Sequence, residues 1–161
     1  MPEVFVGLGS NIEPVTNLRW VLRELGAHFG PLRCSSVYRS PAFGFEGPDF
    51  LNMVVGFDVE TEVEAVEATL SGLENARGRS RAGRMGSRSI DLDLLTFGQR
   101  VDAASRLPRE DVLRYPFVLA PLAELAPGLR HPVTGEAVAD AWDRRSGSVR
   151  TLTLVGELDA A

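Results

Sequence analysis

The chain has 161 residues, a hydrophobic fraction of 44% and a charged fraction of 24%. That is the composition of a soluble globular protein, long enough for one core that removes about 70% of the unfolded-chain surface from water. No apolar run approaches the ~20 residues of a membrane span, and no basic-then-apolar leader opens the chain. The single Cys34 excludes an internal disulfide and a cysteine-based metal cluster. A single domain over 1–161 with a cytoplasmic address is therefore expected. The net charge of −5 argues against general nucleic-acid binding. All 17 basic residues are arginine, which excludes a Walker-type phosphate loop and a Schiff-base lysine. Genome composition explains that count. It does not explain why five arginines fall within residues 77–88, where no acid stands, leaving a charge of −10 for the remainder (the difference between −5 and +5).

Residues 3–9 (EVFVGLG) read as a buried strand ending in Gly-Ser-Asn. Gly7 and Gly9 suggest a dinucleotide fingerprint, but its third glycine would fall at Ile12, so the motif fails. A helix is expected over 14–29, with Val15, Leu18, Leu22, Leu25 and Phe29 on its core stripe and Gly30-Pro31 ending it. Trp20 stands off that stripe and is expected to pack against a neighbouring loop. Residues 32–39 form a second strand. The segment SPAFGFEGP after it is a loop whose two phenylalanines either cover a ligand or pack on their own scaffold.

A third strand is expected over 50–60. Leu51, Met53, Val55, Phe57 and Val59 share one side, and Phe50, Asn52, Val54, Gly56 and Asp58 the other. Phe50 and Asn52 side by side either stack on and hydrogen-bond a flat heterocycle, or are a half-exposed aromatic beside a solvated amide. Thr61 to Glu64 has the form of a capping box, and Val63, Val66, Leu70 and Leu73 supply the following helix with its stripe.

Arg77 to Arg88 should be a loop, since glycine, serine and alanine separate its charges without any apolar period. Residues 90–97 (IDLDLLTF) alternate, which places Ile90, Leu92 and Leu94 on the core side and Asp91 and Asp93 together on the opposite face. Two carboxylates on one strand suit a hard divalent cation, and guanidiniums beside them suit a polyphosphate. The residues alone thus point to Mg²⁺-assisted phosphoryl-type transfer.

Beyond Gly98 the pattern loosens, with short helices expected at 122–126 and 138–142 and a last strand at 150–155. His28 and His131 lack ligand spacing; the first is read as helix-end decoration and the second as part of the turn before Pro132. Cys34 and Trp142 are expected to pack. The order β-α-β-β-α-β is the ferredoxin-like α+β arrangement, an antiparallel-containing sheet with both helices on one face, followed by an irregular C-terminal extension.

Six motifs in order make the chain resemble the 6-hydroxymethyl-7,8-dihydropterin pyrophosphokinase family over nearly its whole length. These are GLGSN at 7–11, YRSP at 38–41, PDFLN at 48–52, Glu74 with Gly78-Arg79 and Arg81, RSIDLD at 88–93, and FVL with Pro121-Leu122 at 117–122. The resemblance implies transfer of the β,γ-pyrophosphoryl group of ATP to the pterin hydroxymethyl in folate biosynthesis, leaving AMP. It implies two Mg²⁺ ions bridged by Asp91 and Asp93, and ATP contacts from Glu74, Arg79, Arg81, Arg88 and Arg109. For the pterin it implies Ser40, Pro41, Phe43 and Asn52, with Phe50 and Phe117 on either side of the ring. Arg79 and Arg81 would belong to a mobile catalytic loop.

Met85, Arg109, Glu110 and Ser71 depart from the family's usual residues, at positions that bear on the nucleotide and not on the metal ligands. The expected partners are the two small-molecule substrates, with no nucleic acid and no membrane, and the chain is expected to be a monomer. Two other readings stand beside this one. A nucleotide-sugar enzyme using Asp-x-Asp lacks its Rossmann half here. A non-enzymatic ferredoxin-like ligand- or RNA-binding module would use the arginine loop as a contact arm.

Overall fold

The elements follow in chain order as β1 (Glu3–Ser10), α1 (Pro14–Phe29), β2 (Arg33–Cys34), β3 (Val37–Ser40), β4 (Phe50–Asp58), α2 (Val63–Arg77), β5 (Asp91–Phe97), α3 (Asp111–Arg114), α4 (Pro116–Leu125), α5 (Val138–Ser146) and β6 (Thr153–Gly156). The structure, a computed structural model, describes residues 1–42, 46–77, 89–146 and 152–158. The sheet order is β5-β1-β4-β3-β6, with β2 also on β4, and every pairing is antiparallel. Without β6 this is the strand order expected of a β-α-β-β-α-β unit whose two helices cross on one face. No helix among the described residues is long and apolar enough to cross a membrane.

Alternation explains the two layers. On one face Val4, Val6, Leu8, Leu51, Met53, Val55, Phe57, Leu92 and Leu94 pack against the stripes of α1 and α2. Phe57 is fully buried and its ring stacks on Phe29 at 4.3 Å between centroids. Burial of a side chain of this size contributes about 1.5–3 kcal/mol. The stripe of α1 differs from the expected one at two places. Val21 is fully buried, and Val15 in the first turn is 42% exposed. Trp20 packs on this core and carries the Arg77 guanidinium 4.9 Å from its ring centroid.

On the other face Phe5, Val54 and Leu95 meet α3, α4 and α5 through Val112, Val118, Leu119, Leu122, Val138 and Ala141, with Trp142 at the margin. The C-terminal part is therefore more regular than expected. It forms a second apolar layer over the sheet, from helices that begin at Asp111 and Pro116, before the expected 122. Gly56 makes room for Phe5, since a Cβ there would stand 2.7 Å from the ring. Leu94 and Leu95 face opposite cores by strand alternation, and β5 carries a bulge directly after Leu94, where Val6 pairs with Leu94 and Phe5 with Thr96.

Three other expectations change. The strand over 32–39 is split in two, because Ser35 turns its hydroxyl to Val54 N–H at 2.9 Å while its own N–H reaches the Val54 carbonyl at 2.9 Å. Cys34 does not pack in the interior; it is exposed, on β2. Arg77 is the last residue of α2 and not part of a loop. Its Nε donates to Asn17 Oδ1 at 2.8 Å, which ties the end of α2 to the start of α1. The remaining arginines of that stretch, from Arg79 to Arg88, lie outside the described residues.

Candidate active site

The site is laid out by strand register. Asp91 pairs with Gly9, Gly9 with Asn52, and Asn52 with Tyr38, which makes one row across β5, β1, β4 and β3. Directly paired residues point to the same face, so Asp91 and Asn52 stand on either side of a position without a side chain. Two strand spacings separate them, roughly 10 Å. One pair further along, Gly7 lies between Asp93 and Val54. The two glycines that failed as a dinucleotide fingerprint are thus the floor of a cleft. A Cβ on Gly9 would stand 3.4 Å from Asn52 Oδ1 and 3.8 Å from Phe50.

Over this floor lies a cavity of about 160 Å³. Its lining includes Gly7, Gly9, Ser40, Pro41, Phe50, Asn52, Asp91, Asp93 and Phe117. All the expected pterin residues among those described are therefore brought together; Phe43 lies outside them. Asn52 is buried, and its Nδ2 donates to Ser40 Oγ at 2.8 Å and toward Tyr38 O at 3.4 Å. The amide is thereby held in one orientation. Phe117 closes the cavity from α4, with its ring stacked on Tyr115 at 5.1 Å and 15°. The distance between α4 and β3 is fixed by Glu124, whose carboxylate accepts from Tyr38 OH at 2.7 Å, Ser36 N–H at 2.8 Å and Ser36 Oγ–H at 3.0 Å. Burial first, and then this bond to Glu124, push the Tyr38 phenol well above its usual range.

A second cavity of about 300 Å³ opens on the other side of Asp93. It is lined by Glu67, Leu70 and Ser71 of α2, by Leu92 to Leu94 of β5, and by Ala104, Ser105, Arg106 and Arg109. Asp93 borders both cavities and so stands where a group bound in one would meet a group bound in the other. The loop before α3 closes on itself through paired backbone bonds of 2.9 Å between Asp102 and Leu107, and Arg106 has φ 56°, in the left-handed region. A non-glycine residue held there marks local strain, which clusters at functional sites. Arg106 was not singled out from the sequence; its signal was the spacing Arg-Leu-Pro-Arg, which sets two cations on one short loop.

Asp93 is the electrostatic centre. Burial pushes its carboxyl up from the ordinary value. Arg109 pulls it down, Asp111 and Glu74 push it up further, and Arg106 pulls it down. Arg109 NH2 lies 3.3 Å from Asp93 Oδ1, and its Nε lies 3.3 Å from Asp111 Oδ1. Glu74 is buried, with Oε2 accepting from Leu92 N–H at 2.9 Å, so it braces the strand between the two aspartates.

No cluster of three or more His, Cys, Asp or Glu side chains suited to a metal is found among the described residues. Two carboxylates on one strand face nevertheless fit Mg²⁺, which is commonly held by one or two carboxylates together with substrate phosphates and water. Arg79, Arg81 and Arg88 lie outside the described residues.

Comparisons with known proteins give the family and the fold. Residues 5–127 match the family described as 7,8-dihydro-6-hydroxymethylpterin-pyrophosphokinase. The 2-amino-4-hydroxy-6-hydroxymethyldihydropteridine pyrophosphokinase of Synechocystis sp. is 41% identical over 138 residues, which cover 83% of this chain and 71% of that one. The protein of the same name from Methylorubrum extorquens is 37% identical over 147 residues, covering 88% and 92%. Among solved structures, wild-type Plasmodium falciparum HPPK-DHPS superposes with a TM-score of 0.71 at 10% identity, a likeness of fold alone. The match covers 91% of this chain and 45% of that longer one, so this chain spans less than half of it.

Proposed function

The chain belongs to the 7,8-dihydro-6-hydroxymethylpterin-pyrophosphokinase family, and from that premise we infer that it transfers the pyrophosphoryl group of ATP to the hydroxymethyl of 6-hydroxymethyl-7,8-dihydropterin, a step of folate biosynthesis. The observation that carries the reading is the row Asp91–Gly9–Asn52, with Asp93 bordering both cavities. A flat bicyclic ring fits over Gly9, between Phe50 and Phe117, with its polar edge at Asn52 and Ser40. Its hydroxymethyl then points along the row toward the aspartates. The triphosphate lies on the other side of Asp93, over Arg106 and Arg109, with the nucleoside toward Ser71 and Glu67.

In this reading Asp91 and Asp93 would hold Mg²⁺, two ions in all, and the chemistry those would supply is positive charge against the phosphate oxygens. The work left for the chain's own groups is positional. Asn52 and the aromatic pair fix the nucleophile, and the cavity walls exclude water from the attacking hydroxyl. Arginines offset the charge that develops on the β-phosphate oxygens and on the α,β-bridging oxygen, which takes the electron pair of the breaking bond and leaves with AMP. We assign Arg79, Arg81 and Arg88 to the nucleotide phosphates as well, and Glu74 keeps β5 in place for the aspartates.

Two apolar layers on one sheet support reading 1–161 as one domain. We place it in the cytoplasm, as a monomer acting on small molecules. A non-enzymatic ligand-binding role does not account for paired carboxylates of which one, Asp93, borders two cavities.

The test is an AMP-release assay with ATP, Mg²⁺ and hydroxymethyl-dihydropterin. Asp91→Asn and Asp93→Asn are each expected to lower kcat by about 10²–10³ or more, the scale set by loss of a transition-state charge contact. Asn52→Ala should mainly raise KM for the pterin. Undiminished turnover in both aspartate variants would overturn the metal assignment.

A further inference from the structure

The charge next to Asp93 is supplied by the chain itself. The Arg109 guanidinium stands 3.3 Å from Asp93 Oδ1, at a site where both side chains are only about one-quarter exposed or less (21% and 26%). The arginine is mounted for this. Its backbone N–H donates to Leu95 O at 2.9 Å, which fixes its Cα against β5, the strand that carries Asp93. Its Nε lies 3.3 Å from Asp111 Oδ1, an ion pair by distance whose geometry is not that of a hydrogen bond. The Nε end is thus held by charge while the NH2 end faces Asp93, and both border the cavity shared with Ser105 and Arg106. A guanidinium and a divalent ion cannot both occupy one face of a carboxylate without strong repulsion, unless an anion lies between them.

We propose that Arg109 is a resident counter-cation for Asp93 which holds divalent metal off the empty protein and transfers its NH2 end to a nucleotide phosphate when ATP enters. The inference rests on the reading of Asp91 and Asp93 as the metal ligands. Its consequence is coupling. Metal alone binds weakly, because it must displace a guanidinium. Nucleotide in the second cavity offers that guanidinium a better-matched, bidentate anion and leaves Asp93 open. Each ligand then raises the affinity for the other by the same factor. Asp111 keeps the arginine from leaving altogether, so the exchange is a pivot of one end and not an expulsion of the side chain.

The experiment is titration with Mn²⁺ alone, followed by the electron-spin-resonance signal of free Mn²⁺, on the wild-type protein and on Arg109→Gln, Arg109→Lys and Asp93→Asn. Arg109→Gln is expected to bind Mn²⁺ about tenfold more tightly than wild type without nucleotide. Arg109→Lys keeps the charge and should stay near wild type, which separates a charge effect from a packing effect. Arg109→Gln binding no more tightly than wild type, or Arg109→Lys matching its gain, would overturn the proposal. Asp93→Asn distinguishes this failure from that of the underlying reading. If its Mn²⁺ affinity equals wild type in the presence of a non-hydrolysable ATP analogue, Asp93 is not a ligand and both ideas fall. If it loses binding while Arg109→Gln gains none, only the counter-cation role falls.

Discussion

Gly9 shows how much of the site is made by an atom that is missing. A glycine between Asp91 and Asn52 leaves open the floor on which a planar ring can lie. No left-handed backbone requires it; φ is ordinary there, and a Cβ would meet its neighbours at 3.4 Å or more. Gly9→Val should therefore fold, yet place methyl groups in a cavity of about 160 Å³. The expected result in steady-state kinetics is a KM for the pterin raised about tenfold or more, with KM for ATP nearly unchanged. Equal effects on both substrates would mean that the pterin does not lie over this row. The aspartates, Asn52 and Phe50 were legible from period-2 alternation, because a strand fixes which side chains share a face. Gly7 and Gly9 were visible as a failed dinucleotide fingerprint and within the GLGSN motif, neither of which tells that they form a floor. Arg106 and the Arg109–Asp93 pair went unread because they depend on a loop closing back across β5, a contact with no local period.

Single elements set the cavity walls. Helix α4 bears Phe117, and Glu124 at its far end clamps it to β3 through three bonds. Removing them by Glu124→Ala should cost about 1–3 kcal/mol, measured by denaturant unfolding. It should also loosen the pterin cavity, and a variant with unchanged stability and unchanged pterin KM would show that the clamp is incidental. Between α4 and α5, buried His131 accepts the Val133 and Thr134 N–H groups at Nδ1, both at 3.2 Å, which only the neutral ring can do. Burial lowers its pKa, partly opposed by Glu136. A base with a depressed folded pKa binds fewer protons folded than unfolded, so its stability contribution is full above the ordinary value of about 6.5 and is lost as pH falls through that value. His131→Asn keeps an acceptor but cannot titrate, and should remove the part of the acid destabilisation that begins below about pH 6.5. This histidine was read only as a turn residue, since its partners are backbone groups that no side-chain motif announces. The sequence likewise hid the break between β2 and β3. Ser35 and Ser36 look compatible with a continuous strand until Ser35 spends its hydroxyl on Val54.

Across the whole molecule, one sheet serves two purposes. Its face toward α1 and α2 is apolar along most of β1, β4 and β5. The other face is apolar only where α3 to α5 cover it, and polar at Asp91, Asp93 and Asn52, where the cavity opens. The first layer was legible because both helices carry clean 3- and 4-residue stripes. The second was not, because its helices are short, interrupted by prolines and bury residues around much of their circumference; α4 has Pro121 inside it. That second layer is what turns the strand row into an enclosed site, by lowering Phe117 over Gly9 and by carrying Arg109 and Asp111 to the side of Asp93. Membership of the pyrophosphokinase family and the cleft geometry make one joint claim, that two phosphoryl units move together from ATP to the hydroxymethyl. The most direct test is to identify the products by phosphorus NMR after mixing ATP, Mg²⁺ and hydroxymethyl-dihydropterin with the protein. AMP and the pterin diphosphate in equal amounts are expected, and ADP with a pterin monophosphate, or no pterin-dependent consumption of ATP, would contradict the account.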